Sequence, residues 1–109
     1  MSTEHAQPGE AIDVQPLGSS VTTARSTALF KGVDLEVMRL VLHAGKSLPP
    51  HKVRGEITVQ CIEGALIVTA SGKSHALQAG QLLFLPADVL HGVTALEDSS
   101  ALVTVALKS

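Results

Sequence analysis

Short apolar runs separated by glycine-, proline- and aspartate-bearing turns organise the chain from Ile12 onward. The runs fall at residues 12–17, 27–30, 35–43, 57–62, 66–70, 81–85, 92–96 and 101–107. Between them stand turn pairs such as Lys31-Gly32, Ala44-Gly45, Glu63-Gly64, Ser71-Gly72 and Ala79-Gly80. No stretch carries a sustained 3.6-residue period, so the pattern predicts strands and little helix. Many short strands at close spacing predict an all-β sandwich or barrel. Residues 1–10 are polar and read as a flexible N-terminal tail, leaving 11–109 as a single barrel domain.

Alternation then assigns faces, because successive strand side chains point to opposite sides of a sheet. In the 35–43 run, Met38, Leu40 and Leu42 make one wholly apolar side, and Val37, Arg39, Val41 and His43 make the other. Ile57, Val59 and Cys61 share the side that His51 and Val53 would take in a continuous strand. Leu66, Val68 and Ala70 oppose Ala65, Ile67 and Thr69, while Leu102 and Ala106 oppose Val103, Val105 and Leu107. Several strands are therefore apolar on both faces, where a lone antiparallel barrel needs only one. A second copy of the chain covering the outer face accounts for this, and a homodimer is expected. The alternative is that the N-terminal run folds back over the same surface.

Composition narrows the function classes. With 45% apolar residues but only Phe30 and Phe84 as aromatics, the core must be built of aliphatic side chains. A formal charge of −2 with dispersed Lys and Arg gives no basic patch, and aromatic stacking platforms are lacking, so nucleic acid is not an expected partner. Cys61 is the single cysteine, which fits a reducing, cytoplasmic setting. Neither a secretory signal nor an apolar run long enough to span a membrane is visible, so no membrane association is expected.

The chemistry-bearing residues are two histidines set in similar frames. Gly45 is followed after five residues by His51, and the segment closes at Gly64; Gly80 is followed after five residues by Pro86, and then by His91. This plan resembles the cupins, double-stranded β-helix (jelly-roll) proteins. Their first motif is glycine, five residues, His-X-His, three or four residues, glutamate, six residues, glycine. Their second is glycine, five residues, Pro-X-Gly, two residues, histidine, three residues, asparagine. The chain matches at Gly45, His51, Gly64, Gly80, Pro86 and His91. It departs at Val53 and Ile57, where the second histidine and the glutamate belong, and at Asp88 and Ala95 in the second motif.

The resemblance implies a cupin jelly roll with a pocket at His51 and His91, and leaves three readings of that pocket. In the first, a small, largely apolar ligand is bound without metal by His51, His91, Val53, Ile57, Val59, Leu66 and Phe84. In the second, a β-bulge at Gly55 turns the Glu56 carboxylate inward. His51, His91 and Glu56 then hold one divalent ion (Fe, Mn, Zn or Ni) for dioxygenase or isomerase chemistry, with Gln60 as an alternative oxygen donor. In the third, the histidines are structural residues of a homodimeric scaffold. His5, His43 and His75 read as tail, outer-face and turn residues, and Cys61 as a buried structural thiol.

Overall fold

The computed structural model describes residues 5–107. Among them lie nine strands: β1 (Thr27–Lys31), β2 (Leu35–Leu42), β3 (Ser47–His51), β4 (Ile57–Glu63), β5 (Ala65–Ala70), β6 (Lys73–Gln78), β7 (Leu82–Leu85), β8 (His91–Ala95) and β9 (Ser99–Ala106). They form two antiparallel sheets, one ordered β1-β2-β9-β4-β7 and the other β3-β8-β5-β6. The architecture is the expected all-β jelly roll. Alternation places the core between the sheets, as the apolar periodicity requires. Leu40, Ile57, Val59 and Ala101 from the first sheet face Leu66, Val68, Leu77 and Val93 from the second. Each such aliphatic side chain removed from water contributes about 1.5–3 kcal/mol.

The motif glycines shape the turns between these strands. At Gly64, φ is +82°, and a Cβ there would lie 2.2 Å from the Ser99 hydroxyl oxygen. Both the left-handed backbone and the close approach of the β9 start therefore demand glycine.

Three elements differ from the sequence reading. Residues 12–17 form no strand; they run irregularly into a short 3-10 helix, Gly18–Thr22. Their polar backbone groups bind side chains instead of a sheet ladder. The Leu17 and Gly18 amides donate to the Glu63 carboxylate (2.8 and 3.0 Å), and buried Arg39 donates to the Asp13 carbonyl (3.3 Å). This fold-back lies against the outer face of β2, so Val37, Arg39 and Val41 are buried by the chain itself. Part of the two-faced apolar pattern is thus satisfied without a partner.

Strands β3 and β6 were the other unanticipated elements. β3 contains Pro49 and Pro50 and lies at an edge of its sheet, where missing ladder donors are tolerated. β6 is an edge strand whose one buried residue is Leu77, too polar a sequence to stand out as an apolar run. His75, expected on a surface turn, is half-buried in β6 opposite Val68. Of the expected tail, residues 1–4 lie outside the described residues. Ala6 is tied to β1 by its amide donating to the Leu29 carbonyl at 2.8 Å.

Candidate ligand-binding site

The two sequence segments meet at the ends of adjacent strands. β3 and β8 are neighbours, and His51 stands directly opposite His91 in their register. The ladder is irregular between Leu48 and His51, because the two prolines cannot donate. The imidazole centroids are 4.6 Å apart, with the ring planes tilted by 51°. His91 is buried and His51 is exposed. Each ring ties Nδ1 back to its own chain: His91 Nδ1–H donates to the Val89 carbonyl (3.0 Å), and His51 Nδ1–H to the Pro49 carbonyl (3.3 Å). A carbonyl only accepts, so the neutral rings carry their proton on Nδ1 and keep the Nε2 lone pair free.

Behind the pair lies a cavity of about 120 Å³. Val53, Ile57 and Val59 stand in its wall, together with both histidines. Six further residues complete it, Met38, Leu40, Leu48, Val93, Val103 and Val105. Four of these, Met38, Leu40, Val103 and Val105, had already been placed on one apolar side of their runs by alternation. The missing knowledge was which sides faced each other. Among the described residues, the histidines are the only ionisable ones in this wall.

Two sequence candidates fall elsewhere. Leu66 points inward but is sealed in the core at 1% exposure, opposite Leu77 and Ala95. Phe84 is 56% exposed on the edge strand β7, because Leu85 takes the inward position beside it. Neither belongs to the cavity wall.

The proposed inward turn of Glu56 is not formed. Glu56 is exposed, and β4 begins with Ile57 in the inward position. Gly55 is present for a different reason, since a Cβ there would lie 1.7 Å from the Ala106 carbonyl oxygen. That close approach lets the Ala106 amide donate to the Glu56 carbonyl at 2.9 Å, joining the loop to the end of β9. Gln60 pairs with Leu82 and Leu102 and alternates with buried Val59 and Cys61, so it faces outward. Among the described residues no group of three or more His, Cys, Asp or Glu side chains is placed to hold a metal ion. Two imidazoles are one donor short of three-ligand zinc centres and of the two-histidine-one-carboxylate triad, so the expected Fe, Mn, Zn or Ni set does not fit these residues.

The remaining candidates have structural partners. Asp88 occupies the motif's glycine position at φ +61°, a conformation that aspartate tolerates better than most residues. Its amide donates to the Val53 carbonyl at 2.9 Å, which holds the cavity loop in place. Cys61 is fully buried outside the cavity wall, its thiol donating to the Glu63 carbonyl at 3.4 Å. Burial pushes that thiol's pKa up, which keeps it protonated and unreactive. His43 Nε2–H donates to the Val21 carbonyl (3.1 Å), clamping the 3-10 helix.

The sequence pattern of the cupin domain matches residues 38–107, well over half of the chain. The chain belongs to the cupin family. Solved structures agree on the fold of this cupin. KdgF from Halomonas sp. superposes with a TM-score of 0.71 at 22% identity, covering 77% of this chain and 78% of that one. A conserved protein of unknown function from Streptococcus pyogenes reaches 0.76 at 20% identity, over 100% of this chain and 97% of its own. The salicylate 1,2-dioxygenase of Pseudoaminobacter salicylatoxidans reaches 0.68 at 18% identity, over 73% of this chain but 26% of the larger enzyme. No curated protein matches the chain. Among the described residues no helix is long and apolar enough to cross a membrane.

Proposed function

We propose that this cupin binds a small, largely apolar molecule in the cavity at His51 and His91, without a metal ion. The observation that carries the reading is the wall itself: hydrocarbon on every side, with two imidazoles as its only ionisable groups. An engineered apolar cavity of about 150 Å³ in another protein admits benzene. A space of about 120 Å³ therefore suits a ligand portion of similar or smaller size. One hydroxyl or N–H on the ligand would donate to a free Nε2. Burying about six carbons at roughly 0.8 kcal/mol each gives about 5 kcal/mol, equivalent to a Kd of ~0.3 mM before the cost of immobilisation, so a Kd in the millimolar range is expected for so small a probe.

The experiment is a titration of methyl-labelled protein with phenol. Shifts concentrated at Ile57, Val59, Val93 and Val103, and abolished in Val59→Phe, support the reading. Phenol at several millimolar leaving those methyls unmoved refutes it. A stoichiometric metal in protein purified without chelator, lost in His51→Ala, would replace it with a metal-dependent enzyme.

We also propose that a second copy covers the outer face at β7, where Leu82 and Phe84 remain 63% and 56% exposed. The buried single thiol of Cys61 supports a reducing, cytoplasmic setting.

A further inference from the structure

We infer that the ligand's charged groups stay outside the cavity, on Glu36 and Arg54, and that the ligand class is a zwitterion with an apolar side chain, in its simplest form an α-amino acid. The inference rests on the cavity reading above and adds a polar subsite to it.

A second cleft of about 330 Å³ shares Met38, Val53 and Val105 with the cavity. Those three side chains are the common wall of an apolar chamber and an outer cleft. The cleft differs from the chamber by carrying Glu36 and Arg54. Glu36 occupies the same face of β2 as Met38 and Leu40, and stands in register between Val105 of β9 and Lys31 of the edge strand β1. It is half-buried. Arg54 follows Val53 in the loop between β3 and β4, which the Asp88 amide pins through the Val53 carbonyl. A guanidinium presents a planar fork of donors that matches a carboxylate.

One anion and one cation on a single cleft, with hydrocarbon behind them, are the charge complement of a zwitterion that carries an apolar side chain. The ammonium goes to Glu36, the carboxylate to Arg54, and the side chain passes the flexible Met38 into the chamber. A branched four-carbon side chain such as leucine's fits a chamber of about 120 Å³.

Four probes of one carbon skeleton test this on the intact protein, read by methyl shifts in the cavity: L-leucine, 3-methylbutylamine, 4-methylpentanoate and 3-methyl-1-butanol. L-leucine should bind about tenfold tighter than either singly charged probe, the scale of one charge-assisted hydrogen bond. Glu36→Gln should weaken L-leucine and the amine by about tenfold while sparing the acid and the alcohol; Arg54→Gln should weaken L-leucine and the acid while sparing the amine. The inference is overturned if L-leucine binds no tighter than the alcohol. It is also overturned if both variants lose thermal stability but leave the ranking of the probes intact, since the two charges would then serve only the fold. If even the alcohol fails to shift the cavity methyls, the cavity reading itself has failed. If the alcohol binds and L-leucine gains nothing, only the polar subsite falls.

Discussion

Replacing Glu63 with glutamine should loosen the N-terminal fold-back and remove a defined acid dependence of stability. The Glu63 carboxylate accepts hydrogen bonds from the Leu17 amide (2.8 Å), the Gly18 amide (3.0 Å) and the Ser100 hydroxyl, with the buried Arg39 guanidinium nearby. Hydrogen bonds to a charged group contribute about 1.5–3 kcal/mol each, but they are not additive and this site is partly solvated. A loss of about 2–3 kcal/mol for Glu63→Gln is therefore expected, because the side-chain amide turns two donor hydrogens toward groups that are themselves donors. In a domain of this size that lowers Tm by roughly 8–20 °C. Burial works against the ionised carboxylate, but the three hydrogen bonds and Arg39 outweigh it and hold the pKa below the ordinary value of 4.5. A group whose folded pKa is depressed contributes stability above its unfolded pKa and loses it as pH falls through the folded value. The gap in Tm between wild type and Glu63→Gln should thus be full at pH 7 and shrink progressively below pH 4.5. Calorimetric scans at pH 7, 5, 4 and 3.5 measure the gap, and amide exchange at Leu17 and Gly18 should accelerate in the variant at pH 7. A gap that stays constant across this series, or one within about 2 °C at neutral pH, would refute the reasoning.

Gly55→Ala should cost about 3 kcal/mol in urea unfolding, because a Cβ 1.7 Å from the Ala106 carbonyl oxygen forces backbone, not a side chain, to move. Phe84→Glu should halve the mass measured by sedimentation while leaving unfolding stability within about 0.5 kcal/mol, since Phe84 lies exposed on the edge strand β7. A wild type that sediments as a monomer ends the proposal of a second copy.

What was legible in the sequence was whatever depends on local alternation. The inward positions of Ile57, Val59, Cys61, Leu66 and Val68 follow from parity and are all buried. The meeting of His51 and His91 is what the resemblance to the cupins implies, and the register places the two opposite each other. Parity says nothing, however, about what lies opposite, and this is why Leu66 was assigned to the cavity when it is packed against Leu77 and Ala95. Phe84, expected in the same pocket, is exposed because the inward position of its strand falls to Leu85. The Gly55 signal was misread because glycine marks both bulges and close backbone contacts, and only the distance to Ala106 separates them. Glu36 shares the parity of Met38, Leu40 and Leu42, but a charged residue at the start of an apolar run gives no signal of an inward position. Glu63 read as turn chemistry, and its role depends on residues more than 40 positions away.

In the proposed reading, recognition is divided between two places. Each histidine already has one ring nitrogen bound to a carbonyl of its own chain, so the pair asks little of a ligand beyond a single donor. Isoleucine at position 57 replaces the motif's carboxylate, which would have required a cation for neutralisation, and valine at 53 replaces a third imidazole with hydrocarbon. What remains in the chamber is a hydrocarbon wall, which rewards size at about 0.8 kcal/mol per buried methylene until the space is full and then penalises it. Such a wall discriminates weakly between molecules of equal shape, since a methylene gained or lost changes binding by only one to two orders of magnitude. Stronger selection requires fixed charges in a place where they can be satisfied without being sealed from water. The outer cleft meets that condition, because Glu36 is half-buried and Arg54 exposed, so neither carries the full cost of desolvation when no ligand is bound.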